Sequence, residues 1–279
     1  MTKTNKKRLN VLFSEIVLII MALIFVLPII LAITMSLQPP ESVYSFPPKF
    51  FPTEFHWQNY VQAFKNVPFA RLLLNSFIVA ILITAGKIFT GTLAGYAFSN
   101  FFFKGKNFAF AFLFATLFLP AETLMIVPLF SLMHQFGWIN TYYALTIPFM
   151  ASATNVFLLR QHFMTIPKSL EDAARIDGAS PMKYFLKILL PLSKPIIGGA
   201  TIINFVYAWN MYLWPLIASM DDNMKTVQIG VKMLQSAENT QNWGVIMAGT
   251  LVAVLPTLIL FFALQDLFVK SLVRSGIKE

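Results

Sequence analysis

An apolar run over residues 11–35 follows directly on Lys3, Lys6, Lys7 and Arg8, and it decides the solvent in which this chain folds. As a helix such a run is ~37 Å long at ~1.5 Å per residue, enough to cross a hydrocarbon core of ~30 Å. A basic stretch ahead of an apolar one also opens signal peptides, but their apolar region is only about 7–15 residues, and no convincing small-residue cleavage site follows here. The run is expected to be a retained first transmembrane helix.

The composition agrees. Hydrophobic residues make up 57% and charged residues only 12%, against about a quarter charged in soluble domains. There is no cysteine, so neither a disulfide framework nor thiolate metal ligation is available. The net charge of +9 does not form a basic patch interleaved with aromatics; the lysines and arginines fall in loops between apolar spans, which argues for orientation in a bilayer and against nucleic acid.

Residues 36–71, with Pro39-Pro40, Pro47-Pro48 and Pro52, are expected to be irregular and outside the bilayer. At their end, residues 55–64 have apolar side chains at helical spacing and read as an interfacial anchor; His56 is given no catalytic role. A second span is expected over 72–98. Ala80, Thr84, Lys87, Gly91 and Gly95 share one helical face there, and Gly91 with Gly95 forms a close-packing motif. Lys87 is either a functional cation in the bundle or a lysine that snorkels to the inner surface.

Lys104 and Lys106 mark a short inner loop before a third span over 108–129, interrupted by Pro120 with Glu122 beyond it; the glutamate either sits in an aqueous vestibule or, the favoured reading, satisfies backbone freed by the proline. Span four is expected over 142–159, with Asn155 its most polar member, span five over 196–217 and span six over 244–269, which contains Pro256. The outer loop 218–243 carries Asp221, Asp222 and Glu238 against Lys225 and Lys232. The resulting fold class is an all-α membrane protein with six transmembrane helices. Residues 11–270 form the transmembrane domain, and the excess of Lys and Arg assigns residues 1–10, 271–279 and the loop 161–195 to the cytoplasm.

That loop has the most mixed polar character in the chain, and its chemistry spells two short helices joined by a turn. Ser169 is read as an N-cap, completing a capping box with Asp172; Gly178 ends the first helix, Ser180 caps the second with Pro181 in its first turn, and Pro191 stops it. The polar side chains make it a docking surface.

No Gly-x4-Gly-Lys-Ser/Thr phosphate loop, no His-Glu-x2-His zinc motif and no Gly-x-Ser-x-Gly elbow occurs, and His56, His134 and His162 lie in separate loops. Any ATP is therefore hydrolysed by another polypeptide, and this chain is not expected to be an enzyme.

Read in order, Asp172, Ala173, Ala174, three residues, Gly178, nine residues, Ile188, one residue, Leu190 and Pro191 resemble the loop signature of permease subunits of ABC importers. The acidic position is usually Glu in that family and is Asp172 here, with Glu171 just before it. The resemblance extends over nearly the whole chain. Trp209-Asn210, Tyr212-Leu213-Trp214-Pro215, Gln58-Asn59-Tyr60 and Leu74-Asn75-Ser76 look like the maltose-type second permease of the carbohydrate-uptake branch. Within that branch Gly86-Lys87-Ile88, residues 150–154 and Arg160-Gln161 are most similar to glycerol-3-phosphate permeases.

The resemblance implies a heterodimer with a second homologous permease, two cytoplasmic ATPase subunits that use ATP and Mg, and an extracytoplasmic substrate-binding protein, all on the bacterial cytoplasmic membrane. No cofactor is expected in this chain. Glu171, Asp172, Ala173, Ala174, Arg175 and Gly178 would form a coupling helix seated in the ATPase, with Asp172 paired to a basic group and the two alanines allowing close approach. Receptor docking would use outer loops, residues 36–71 foremost.

For the substrate pathway, Asn204, Tyr207, Asn210, Met211 and Trp214 have the spacing of one helical face on span five, and Lys87 would suit an anionic phosphate ester. Aromatic rings near a helix end are equally ordinary interface anchors. Two alternatives stay open at this point. One is the same permease serving a neutral sugar, with Lys87 as an anchor; the other is a stand-alone secondary transporter driven by an ion gradient.

Overall fold

In the computed structural model, residues 3–43, 51–52, 54–119, 124–237 and 242–276 are described, and every regular element among them is helical. The first long helices are α1, Lys3–Ser36, α2, Gln58–Asn66, and α3, Phe69–Asn100. They are followed by α4, Lys106–Ala115, α5, Ile126–Gln135, α6, Tyr142–Thr146, and α7, Ala153–Thr165. The loop region contains α8, Lys168–Ile176, and α9, Pro181–Leu192; then come α10, Lys194–Trp209, α11, Leu213–Ala218, α12, Val227–Ala237, and α13, Trp243–Gly276. Among the described residues three helices are long and apolar enough to cross a membrane, or up to five if each of two bent pairs, Tyr142–Phe149 with Ala153–Thr165 and Pro181–Leu192 with Lys194–Trp209, is one span. Residues 120–123, which carry Pro120 and Glu122, and Glu238 lie outside the described residues.

The chain divides into two units. One comprises Met1–Phe69 with Gly230–Val254. Its α1 exposes nearly all its apolar side chains over the membrane-length stretch, a surface suited to lipid or to an apolar partner helix and not to water. At the helix end the exposure stops. Asn59 of α2 is fully buried and its Nδ2 donates to the carbonyls of Ser36 at 2.9 Å and Gln38 at 2.8 Å, while Tyr60 Oη lies 2.9 Å from Ser36 Oγ. Residues 55–64 thus cap α1: Asn59 satisfies the Ser36 carbonyl that the helix leaves without an intrahelical partner, and the Gln38 carbonyl just beyond it.

The other unit comprises Ala70–Ile229 with Leu255–Glu279. Ala80, Thr84, Lys87, Gly91 and Gly95 are all buried, so the expected inward face of α3 is the observed one. A Cβ on Gly91 would lie 3.0 Å from Asn155 Cβ, and one on Gly95 3.1 Å from Leu159 Cβ, so both glycines let α7 approach the α3 backbone.

Two expected boundaries differ. Pro191 does not end the second loop helix: Phe185–Leu189 is a π-helical turn, and the helix runs on to Leu192 before bending by 75° into α10. The wider turn makes room for a proline without an N–H inside the helix. Span five is not one helix either. It stops at Trp209, with Asn210 as C-cap, and resumes only at Leu213, so Asn204 and Tyr207 share a face that Asn210 and Trp214 do not continue.

Candidate functional site

The loop helix α8 begins two residues earlier than its capping chemistry suggested. Pro167 is the N-cap, its carbonyl accepting from Leu170 N–H at 3.1 Å, and Ser169 lies inside the first turn without a capping role. Proline's fixed φ starts the helix where a serine hydroxyl was expected to. The C-terminus behaves as read. Gly178 has φ +74°, Ala179 N–H donates to Ala174 O at 2.8 Å and Gly178 N–H to Arg175 O at 3.1 Å, the paired bonds of a Schellman ending. Ser180 Oγ then accepts from Lys183 N–H at 3.3 Å, with Pro181 in the first turn of α9.

The loop is seated on the bundle by an aromatic cluster. Ala174 packs into a buried group with Tyr96, Leu159, Phe163, Tyr184, Phe185 and Leu189. Tyr96 stacks on Phe185 at 4.8 Å between centroids and donates its hydroxyl to Pro181 O at 3.0 Å. Beside it Asn100 Nδ2 donates to Glu171 Oε2 at 2.7 Å, and Arg175 bridges Glu171 Oε1 at 3.2 Å. Glu171 and Ala174 therefore face this chain's own bundle, whereas Asp172, Ala173, Arg175 and Gly178 are exposed. Tyr96 and Asn100 were missed in the sequence because nothing local to residues 161–195 points to them.

The second cluster lies where α3, α7 and α10 meet. Lys87 is only 8% exposed, and its Nζ stands 3.8 Å from the centroid of the Tyr207 ring. Three residues before Tyr207 on α10, Asn204 donates to Asn155 Oδ1 at 3.1 Å and to Ala200 O at 2.8 Å. Asn155 in turn stands against Gly91, one turn beyond Lys87 on α3. Asn155 Nδ2 and, one turn before Lys87, Thr84 Oγ1 are buried without a hydrogen-bond partner among the described residues. Unmet buried donors are costly and call for a partner. The cluster thus combines a cation, an aromatic face and spare polar atoms.

Of the other expected pathway residues, Asn210 is exposed and accepts from Gln228 Nε2 at 3.0 Å. Trp214 is buried, its Nε1–H donating to Ala144 O at 3.0 Å and its ring 5.8 Å from Phe149, so its ring and N–H are engaged within the chain.

Residues 87–274, from Lys87 through the whole of the loop at 161–195, match the family described as the binding-protein-dependent transport system inner membrane component. The chain belongs to this family. As an inner membrane component it is the permease part of an ABC importer, and ATP is hydrolysed by a separate subunit. The permease is 38% identical to the sn-glycerol-3-phosphate transport system permease protein UgpE of Pectobacterium atrosepticum, over 97% of this chain and 98% of that one. It is likewise 38% identical to UgpE of Salmonella typhi over the same shares. Its fold is that of a chain from a bacterial ABC transporter involved in the import of the acidic polysaccharide alginate, with a TM-score of 0.81, 22% identity, and coverage of 95% of this chain and 98% of that one.

Proposed function

We propose that this permease forms half of the translocation pathway of an importer for sn-glycerol 3-phosphate. The observation that carries the substrate is Lys87, a cation buried to 8% exposure against Tyr207. A charge at that depth is expensive, and a phosphate ester entering a low-dielectric passage needs such a partner. Thr84 Oγ1 and Asn155 Nδ2 supply polar atoms suited to glycerol hydroxyls. The relatives that are 38% identical over nearly the whole chain are named for this solute.

The chain spans the membrane six times in this reading, with α4 and α5 as the third span, the two bent pairs as the fourth and fifth, and residues 1–10, 161–195 and 271–279 in the cytoplasm. The distribution of Lys and Arg supports that orientation. Partners are a second homologous permease, two ATPase subunits that bind ATP and Mg, and an extracytoplasmic binding protein. ATP binding draws the ATPases together, and the exposed face of α8, Asp172, Ala173 and Arg175, transmits the displacement. Such coupling requires contacts that differ between the two states.

A neutral sugar is the second reading, favoured by the same Tyr207 ring, because it gives Lys87 a partner without any substrate. Uptake of labelled glycerol 3-phosphate and of a labelled oligosaccharide, in cells with and without the gene, separates the two. Loss confined to the oligosaccharide overturns the phosphate ester and keeps the permease.

A further inference from the structure

The loop between α3 and α4 gathers positive charge and apolar surface around one cavity of about 620 Å³, lined by Phe102, Phe103, Lys104, Lys106, Phe108 and Arg160. Two of its three cations are held in place. Lys106 Nζ donates to Phe101 O at 2.8 Å, and Arg160 Nε donates to Phe98 O at 3.2 Å while its guanidinium lies 4.0 Å from the Phe110 centroid. Neither the Arg175–Glu171 nor the Lys225–Asp222 ion pair involves Lys104, Lys106 or Arg160, so the surface these cations form suits an anion from outside.

The apolar part of the same surface selects the anion. Phe102 is 93% exposed and Phe108 79%, with Phe112 one turn further along α4, also exposed. Facing water, such rings would form an unstable patch; facing acyl chains, they are ordinary. From Lys106 the chain enters an apolar helix that continues to Phe118, so the cations stand at the boundary between loop and hydrocarbon. The Phe102 ring lies 5.3 Å from Lys106 Nζ, but a soluble phosphate would use only the cations and leave the exposed Phe108 and Phe112 without a role.

We infer that this cavity binds the phosphate headgroup of an anionic phospholipid of the surrounding leaflet, with Lys104, Lys106 and Arg160 on the phosphate and Phe102 and Phe108 along its acyl chains. The inference rests on the membrane orientation proposed above, in which this loop lies at the inner surface, and not on which solute is carried.

The test uses the full chain, with whatever subunits accompany it on purification, in phosphatidylcholine nanodiscs containing a minor fraction of photoactivatable phosphatidylglycerol. Crosslinked peptides are mapped by mass spectrometry. Labelling is expected on residues 102–108, competed by plain phosphatidylglycerol but not by phosphatidylcholine or inorganic phosphate, and reduced about fivefold for each charge removed by Lys104→Gln or Lys106→Gln. The Lys104→Arg/Lys106→Arg variant keeps the charge and is expected to label like the parent, which separates charge from folding. Equal labelling by photoactivatable phosphatidylcholine overturns the inference, as does competition by inorganic phosphate, undiminished labelling in the glutamine variants, or protection of the peptide only by an ATPase subunit. The readout is lipid attachment, so a permease that carries a different solute leaves the result unchanged.

Discussion

Asn100 Nδ2 and Glu171 Oε2 lie 2.7 Å apart although 71 residues separate them in sequence, joining the last residue of α3 to the loop helix α8. A hydrogen bond to a charged, largely covered acceptor is worth about 2 kcal/mol. This one ties displacement of the loop to displacement of a membrane span. Asn100→Ala is therefore expected to lower uptake about tenfold, the equivalent of ~1.4 kcal/mol in the coupling equilibrium. Asn100→Asp, which sets two carboxylates against each other, is expected to lower it further. Labelled-solute uptake normalised to membrane abundance checks this, and wild-type uptake in both variants would show the contact to be dispensable.

Gly178 offers a cleaner backbone test, because a Cβ there would meet nothing within 4 Å while φ stands at +74°. Any penalty for substitution is conformational, about 1–2 kcal/mol for an ordinary residue and less for asparagine. Uptake is expected to fall in the order Gly, Asn, Ala, Val. A ranking by side-chain size in which Asn fares worse than Ala would locate the effect in a partner contact instead.

Tyr207 acts on Lys87 through the face of its ring, so its hydroxyl is not needed for that contact. Tyr207→Phe is expected to retain transport, whereas Tyr207→Leu removes a desolvated cation–π contact worth about 2 kcal/mol and lowers uptake ~30-fold. Both variants need equal membrane abundance. If Phe and Leu behave alike, the ring face is not what places the lysine.

How much of this was legible in the sequence depends on how local each cause is. The Schellman ending at Gly178, the cap at Ser180 and the inward face of α3 follow from residues a few positions apart, and all appear as read. Pro167 displaced Ser169 as N-cap because two neighbouring starters competed and spacing alone does not rank them. Pro191 misled for another reason: a π turn upstream removes the clash that makes proline a helix stop, and no residue pattern announces it. Contacts such as Asn59 with the carbonyls of Ser36 and Gln38, or Asn155 with Asn204, join segments that only folding brings together. The sequence showed which side chains were polar, not which of them would meet.

The contact between α3 and the Met150 backbone gives the sharpest packing prediction. A Cβ on Gly86 would overlap Met150 Cγ and lie 2.5 Å from its Cβ, and the Thr90 hydroxyl, shared between Gly86 O and Met150 O at 2.8 Å each, ties the Met150 carbonyl to α3. Met150 thus cannot retreat without losing that bond. Gly86→Ala is expected to cost about 1–3 kcal/mol by overpacking, lowering the melting temperature of the detergent-solubilised chain by ~2–4 °C per kcal/mol. Met150→Ala would not relieve it, because the offending Cβ remains; Met150→Gly would. In a double-mutant cycle the Gly86→Ala/Met150→Gly pair is therefore expected to show a favourable coupling that Gly86→Ala/Met150→Ala lacks. Equal couplings for the two pairs, or none for either, would mean that α3 shifts away from residue 150 and absorbs the methyl group.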